Sequence, residues 1–391
     1  MSKLSKTRDG WTTVSLGDVA QNINDYFDRE NDKPTRFIAG EHIEEGQLNV
    51  RRWGVTDDGF FPPTFKRKFK AGDVLFHSRN IKKTVVPHFD GVTGEKLFVL
   101  RSKDNGVLLQ DFLGHLLSSK HFVEYAVKNW SGSVNKFLNW RPLSKYEFLL
   151  PPVSDQARIV NLLSSIGTLQ QRVWQAQRCT EDFARRFLID SYQRLQTLFT
   201  PVPVASIGDA AMGRQKSPKY TRGKNPRPFL SVANIGYLEI KAENVQEMDF
   251  TNDELKRFKL VDGDILLTEG DLVSHFNVGR PAIFRGEVDE CCFQNTLIRF
   301  RPGPDLSAEF ALLLLEGARL NHVFAKAAKT TTVTHLGLSR FKGIKLPLPD
   351  GKTQRHLEKS FSMIIASRAA ATKRLLEVEA LKTIALQEIF G

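Results

Sequence analysis

The sequence repeats itself. Val14-Ser15-Leu16-Gly17-Asp18-Val19-Ala20 returns 191 residues later as Ala205-Ser206-Ile207-Gly208-Asp209-Ala210-Ala211. Phe69-Lys70-Ala71-Gly72-Asp73-Val74-Leu75 returns at the same offset as Leu260-Val261-Asp262-Gly263-Asp264-Ile265-Leu266. Leu143-Ser144-Lys145-Tyr146 returns as Leu338-Ser339-Arg340-Phe341, and a Leu-Pro stretch follows each copy, Leu150-Pro151-Pro152 and Leu346-Pro347-Leu348-Pro349. A Gln-led helical run then opens near Gln156 and near Gln354. Four matches in one order at a nearly constant offset make the chain a tandem duplication, a feature that decides architecture before local patterns do. Each copy falls in the range of about 100–200 residues that can close a core of its own.

In each copy the first part mixes short β-branched and aromatic runs with Gly, Pro and Asn turns, which predicts a mixed α+β domain. Gly72-Asp73-Val74-Leu75-Phe76 and Gly263-Asp264-Ile265-Leu266-Leu267 read as turns feeding buried strands. Residues 111–128 and 307–329 read as helical, with Asp111 and Ser307 as N-caps. A long helix closes each copy. Its apolar stripe falls at Ile159, Leu162, Ile166, Leu169, Val173, Ala176, Phe183 and Phe187 in the first, with Thr180 the polar entry. In the second it falls at Leu357, Phe361, Ile364, Ala371, Leu375, Val378, Ala385 and Ile389, with Arg368 and Lys382 interrupting. This 3.5-residue period is the coiled-coil signature, and a helix of about 40 residues spans roughly 60 Å. Pairing the two helices antiparallel buries both stripes in one chain. The expected fold is α+β, with two duplicated domains, 1–153 and 200–352, separated by long helices over 154–199 and 353–391 that pair as an antiparallel coiled coil.

Lys and Arg number 56 against 44 Asp and Glu, giving a net charge of +12 and a pI near 9.5, in the range that points to nucleic acid. The excess is +5 over residues 1–152 and +3 over 200–352, so both halves are basic. Two diverged domains on a common frame suit two different half-sites of duplex DNA, with helix length setting their spacing. The near-average composition argues against wholesale disorder and a disulfide-stapled miniprotein. The longest strongly apolar run, 310–315, is far too short for a membrane span, so no membrane partner is expected. Met1-Ser2-Lys3-Leu4-Ser5-Lys6 lacks the apolar stretch of a secretory signal, and Cys179, Cys291 and Cys292 do not have zinc-site spacing. A reducing cytoplasm is the expected location.

Further strings carry a family resemblance. They are Gly132-Ser133-Val134-Asn135-Lys136-Phe137-Leu138-Asn139-Trp140 running into Leu143-Ser144-Lys145-Tyr146-Glu147-Phe148 and Leu149-Leu150-Pro151-Pro152. In the second half they are Leu266-Leu267-Thr268-Glu269-Gly270-Asp271, then Gly279-Arg280 and Gln294-Asn295. Over its full length the chain resembles the specificity subunit of bacterial type I restriction-modification enzymes. The resemblance implies two target recognition domains, each reading half of a split asymmetric sequence. It also implies two N6-adenine methyltransferase (modification) subunits held by the helices, and two motor-nuclease (restriction) subunits joining for cleavage. S-adenosylmethionine, ATP and magnesium are then expected on those partners, and no cofactor in this chain. Phe76-His77-Ser78-Arg79-Asn80 stands where the second copy has Leu267-Thr268-Glu269-Gly270-Asp271, so the two domains are expected to read unrelated sequences.

Motifs for chemistry of its own are missing. There is no Gly-x-Gly, no Asp/Asn-Pro-Pro-aromatic tetrapeptide and no Walker loop; Gly351-Lys352-Thr353 reads as a proline-rich linker. Asp253-Glu254-Leu255-Lys256 has no upstream Pro-Asp and reads as a helix cap, while Glu269, Asp271 and His275 read as a turn beside a DNA-facing loop rather than a metal site. The chain is therefore expected to be non-catalytic. Specific reading needs Arg, Lys, Asn or Gln at base edges, with further basic groups on phosphates. In the first domain Arg79 and Asn80 are candidates for bases and Lys66, Lys68, Lys82 and Lys83 for phosphates. In the second, the basic segment 214–224 offers Lys216, Lys219, Arg222 and Lys224, with Asn277 and Arg280 as base readers. Asn135-Lys136 and Thr334-His335 occupy matching places and suit either DNA or a methyltransferase. The rival readings are a coiled-coil protein-interaction scaffold without sequence-specific DNA binding, and a self-sufficient nuclease or methyltransferase with an unfamiliar site.

Overall fold

The computed structural model describes residues 10–28, 32, 35–56, 61–217, 224–271, 278–330 and 334–390, with the backbone alone at 271, 329 and 330. The chain divides into two compact units, Met1–Trp174 with Lys373–Gly391, and Gln175–Thr372.

In the first unit a four-stranded sheet runs in the order Ala20–Asn22, Leu97–Ser102, Val74–His77, Thr84–Val85, all neighbours antiparallel. A second sheet runs Gly54–Val55, Arg36–Ile38, Gly91–Thr93, Arg67–Phe69. Strand alternation divides the core between them. Val74, Phe76, Phe98 and Leu100 pack on Phe112, Leu116 and Phe122 of the helices Gln110–Leu117 and Lys120–Lys128. Leu75, Leu97 and Val99 pack on Ile38 and Phe69 of the second sheet. The stretch 111–128 is thus two helices, broken at Ser119, whose hydroxyl accepts from the Phe122 amide at 3.3 Å. Asp111 sits inside the first turn; the N-cap position belongs to Leu109.

The second unit has the same plan. Its five-stranded sheet runs Gly208–Met212, Leu297–Pro302, Ile265–Thr268, Pro281–Ile283, Leu238–Glu239. A three-stranded sheet runs Gln246–Asp249, Pro226–Leu230, Cys292–Phe293. Ile265, Leu267, Ile298 and Phe300 face the helix Ala308–Leu320, capped as expected by Ser307. Leu266, Ala282 and Leu297 face Phe229 and Phe293. Cys291 and Cys292 both enter this second core, and burial pushes both thiols up to about 12. The strand begins only at Cys292, after the left-handed Glu290, so Cys291 stands outside the strand's alternation of faces.

The repeat is also a repeat of interactions. Gly72 and Gly263 both turn at φ +88°. The buried Asp73 then takes Arg101 through two bonds of 2.7 Å, and the buried Asp264 takes Arg301 the same way. Thr12–Ser15 pairs antiparallel with Glu147–Leu150, and Pro201–Pro203 with Lys345–Pro347. At the start of each long helix stands a buried glutamine. Gln156 donates to the carbonyls of Val107 and Pro151 and accepts from the Leu109 amide, each at 2.8 Å. Gln354 donates to the carbonyls of Asp305 and Pro349, both at 3.0 Å.

The central helix, Val153–Leu198, and the distal helix, Gly351–Phe390, contribute to both units. In the second unit Phe187 meets Phe361, Glu181 meets Arg368 and Gln177 meets Thr372, which makes the pair antiparallel. In the first unit Leu163, Ile166 and Val378 form the seam. The distal stripe is seated as its spacing predicts, but the central one is not. Leu162 and Leu169 are 52% and 45% exposed and Phe183 is 59% exposed, while Leu163, Gln170, Ala184 and Leu188 are buried. The seam keeps 159, 166 and 173 and steps to 163 and 170 between them, the neighbouring row of the same helix. Gly351-Lys352-Thr353 is the first helical turn rather than a linker, with Asp350 accepting the amides of Lys352 and Thr353 at 2.9 Å.

Replacing Gln156 by Ala leaves two carbonyls and one amide at a buried helix start without their partner, a loss of about 2–4 kcal/mol. Urea unfolding of the full chain is expected to show it as a lower midpoint. An unchanged midpoint would mean that other contacts hold the helix start.

Candidate nucleic-acid interface

The central strand of the first unit, Val74–His77, ends in a tight turn that carries most of that domain's candidates. His77 Nδ1 accepts the amides of Arg79 and Asn80 at 3.0 and 2.9 Å, and Ser78 Oγ donates to the Lys96 carbonyl at 2.9 Å. Burial above all, then the charges of Lys83, Lys96 and Arg79, lowers His77 to about 4, so the ring is a neutral acceptor that fixes the turn. Arg79 and Lys82 are exposed. Asn80 donates to Glu45 Oε1 at 2.9 Å, and Lys83 Nζ to the Gly40 carbonyl at 2.6 Å. His77, Asn80, Lys83, Lys96, Glu41 and Phe65 border a cleft of about 580 Å³. Lys66 and Lys68 lie elsewhere. Lys66 is exposed, and Lys68, on Arg67–Phe69 of the other sheet, is paired with Asp32 at 2.6 Å.

In the second unit Lys216 donates to Gln246 Oε1 at 2.7 Å and lies 5.8 Å from the Phe229 ring centre, and Lys224 is exposed. Arg280 donates its amide to Thr268 Oγ1 at 3.0 Å, while its Nε is buried and has no partner among the described residues. Lys219, Arg222, Asn277 and His275 lie outside the described residues. Arg214, at the head of the basic segment, is a structural bolt. It lies 4.9 Å over Phe250, pairs with Glu254 at 3.0 Å and donates to the Asp249 carbonyl. Glu254 also closes the capping box of the helix Asn252–Phe258, as its sequence context predicts. Glu269 contacts His335 Nδ1 at 2.7 Å. The described residues contain no group of three or more His, Cys, Asp or Glu side chains placed to hold a metal. On the long helices Arg172, Arg178, Arg185, Arg186, Lys373 and Arg374 are all exposed.

The structure also settles where the ambiguous segments lie. The amide of Leu138, just after Asn135-Lys136, donates to the Ser78 carbonyl at 2.8 Å, and the amide of Leu336, just after Thr334-His335, donates to the Glu269 carbonyl at 2.8 Å. Both segments therefore sit beside the strand-end turn of their own unit. A signal for them existed in the sequence: residues 125–146 and 317–349 contain no Asp or Glu, yet hold four and six Lys or Arg. It shows only when missing charge is counted rather than present charge.

His115 is buried on Gln110–Leu117 and, like His77, is lowered to about 4, by burial first and then by Lys382. Unfolded histidines titrate near 6.5. The unfolded chain therefore binds these protons first, and stability present above pH 6.5 is lost as pH falls toward 4. Urea midpoints between pH 7 and 4.5 are expected to fall, and less steeply for His115→Gln. An equal slope in that variant would show that His115 is not held neutral.

Residues 8–174 match the family described as the type I restriction modification DNA specificity domain. No curated protein matches the sequence significantly. Among solved structures, a chain from work on complex assembly and conformational transition of the type I R-M system aligns over 97% of both chains, with 17% identity and a TM-score of 0.63. The type I restriction-modification S subunit from M. genitalium aligns over 100% of this chain and 98% of its own, with 13% identity and a TM-score of 0.56. The HsdS subunit from Thermoanaerobacter tengcongensis aligns over 98% and 97%, with 20% identity and a TM-score of 0.48. The chain thus shares the fold of a type I restriction-modification S subunit, and its residues 8–174 match the type I restriction modification DNA specificity domain family.

Proposed function

We propose that this chain is the DNA sequence-recognition subunit of a type I restriction-modification complex. Residues 1–153 and 200–352 act as its two target recognition domains and read the halves of a split, asymmetric site, with the paired helices setting the gap. The observation that carries the reading is a duplicated frame with unlike reading ends. The Asp-Arg pair and the helix-start glutamine recur in both units, while the strand-end turn is His77-Ser78-Arg79-Asn80 in one and Thr268-Glu269-Gly270-Asp271 in the other. A frame kept constant under turns of different chemistry suits two readers of different sequences.

The chain acts by placement rather than catalysis. It positions two N6-adenine methyltransferase subunits and, for cleavage, two motor-nuclease subunits; S-adenosylmethionine, ATP and magnesium are bound by those partners. The complex works in the cytoplasm, in keeping with the lack, among the described residues, of any helix long and apolar enough to cross a membrane. Arg79, Asn80, Asn277 and Arg280 contact bases. Lys66, Lys68, Lys82, Lys83, Lys216, Lys219, Arg222 and Lys224 contact phosphates, and those now engaged internally, Lys68 and Lys83 among them, exchange these bonds on binding.

Modification-sensitive sequencing of the source genome with and without this gene tests the role. Loss of N6-methyladenine at one split, asymmetric motif is the expected result. An unchanged methylome, with salt-insensitive or absent DNA binding by the assembled complex, would favour the protein-interaction scaffold. Within the complex, Arg79→Ala is expected to relax one half-site only, at a cost of roughly ten- to a hundred-fold in affinity for the original sequence. Lys82→Ala is expected to weaken all sequences evenly and to reduce the salt slope by about 0.9. Competition binding across a salt series separates the two effects, and unchanged specificity in Arg79→Ala would remove that residue from the base readers.

A further inference from the structure

Beside the strand-end turn of the first unit stands a second built element, the 131–137 hairpin. Ser131 and Phe137 exchange backbone hydrogen bonds of 2.9 and 3.0 Å. Gly132 turns at φ +90°, where a Cβ would lie 2.7 Å from the Asn135 carbonyl oxygen, so the tip closes tightly only with glycine. Lys136 Nζ lies 5.3 Å from the centre of the Trp130 ring, whose buried indole N–H has no acceptor among the described residues. At the tip Val134 is 89% exposed. A lone exposed valine is ordinary, but this one is carried on a rigid support.

The support is fixed to the reading turn. The Leu138 amide binds the carbonyl of Ser78, the residue next to Arg79, and the second unit makes the same attachment from Leu336 to Glu269. The attachment persists although the two turns differ in sequence, and both attached segments lie in stretches free of Asp and Glu. An acid-free element hydrogen-bonded to the reading turn suits a polyanion more than a protein surface. Val134 offers no hydrogen bond. In the major groove the one apolar group that a base edge presents is the thymine C5-methyl.

We propose that the 131–137 hairpin is a second reading element for the first half-site. Val134 packs on a thymine methyl next to the base read by Arg79, and Lys136 contacts the adjoining phosphate. This rests on the recognition role proposed above and adds a specificity-determining residue to it. The test uses the full chain assembled with its modification subunits, on duplexes carrying the motif taken from the genome's methylation pattern. Each thymine of the first half-site is replaced in turn by deoxyuridine, which removes only the methyl group.

Wild-type affinity is expected to fall roughly four-fold at one position, the effect of one buried methyl group. The Val134→Ala complex should bind the thymine and deoxyuridine duplexes alike at that position. Gly132→Ala, which displaces the tip without deleting Val134 or Lys136, should abolish the same discrimination. Lys136→Ala should weaken every duplex and lower the salt slope by about 0.9. A Val134→Ala complex with the wild-type thymine preference at every position would overturn the proposal, as would a wild type indifferent to every methyl group. Loss of a modification subunit from either the Val134 or the Lys136 variant would overturn it too, by assigning the hairpin to protein docking. Absence of any selective binding by the wild type is a distinct result, which removes the recognition role itself.

Discussion

One buried side-chain amide fixes the start of each long helix. Prolines end the strand before it, at Pro151-Pro152 and at Pro347 and Pro349, and a proline has no N–H to continue a ladder. Gln156 takes up the freed carbonyl of Pro151 together with the carbonyl of Val107 and the amide of Leu109, at the entrance of the helix Gln110–Leu117. Gln354 joins Pro349 to Asp305, at the entrance of Ala308–Leu320. Leucine would leave those backbone groups unpaired in a buried place, and glutamate would bring a charge and lose two donors. Within each unit the direction in which the long helix leaves its domain thus depends on a group able to donate and accept at once.

Around that constraint the two units divide into a constant part and a variable part. Positions 77 and 268 correspond, and each supplies a side-chain acceptor where the central strand ends. His77 accepts two amides of its own turn, and Thr268 accepts the amide of Arg280, twelve residues on. The same backbone position therefore accepts from residues two and three positions on in one unit, and from a residue twelve positions on in the other. One frame thus carries different groups: the Asp-Arg pair holds the near end of the strand in both units, and the acceptor at the far end takes different partners.

The constant part was legible in the sequence because it recurs at a fixed offset, as the Gly-Asp turns and the Leu-Pro-Gln sequence show. The central helix was legible as a helix but not in its register. Leu162 and Leu169 are more apolar than Leu163 and Gln170 taken together, so hydrophobicity selects the wrong one of two adjacent rows, and Gln170 in the seam carries no apolar signal at all. Arg214 shows the converse. Composition puts it at the head of a basic segment, whereas Phe250 and Glu254, about forty residues away in sequence, make it part of the core. Charge in sequence does not reveal which cations have partners inside the fold.

The polar interruptions of the distal stripe follow from the same logic. Arg368 and Lys382 occupy inward positions of a heptad pattern where apolar residues would pair more stably. Neither is left without a partner. Arg368 pairs with Glu181 at 3.6 Å and lies 4.2 Å over Tyr237, and Lys382 Nζ donates to the Gly46 carbonyl at 2.6 Å. Arg368 thus spans from the opposite helix to Tyr237 outside the pair, and Lys382 reaches from the helix to Gly46. Burial lowers the Lys382 pKa, so the cation is held at some cost. A slip of one heptad would carry each cation about 10 Å along the axis, away from its acceptor and into apolar surroundings. Apolar seam residues alone would tolerate such a slip, since a heptad pattern maps onto itself. Within each unit one of these charges makes a single register of the helix pair the stable one.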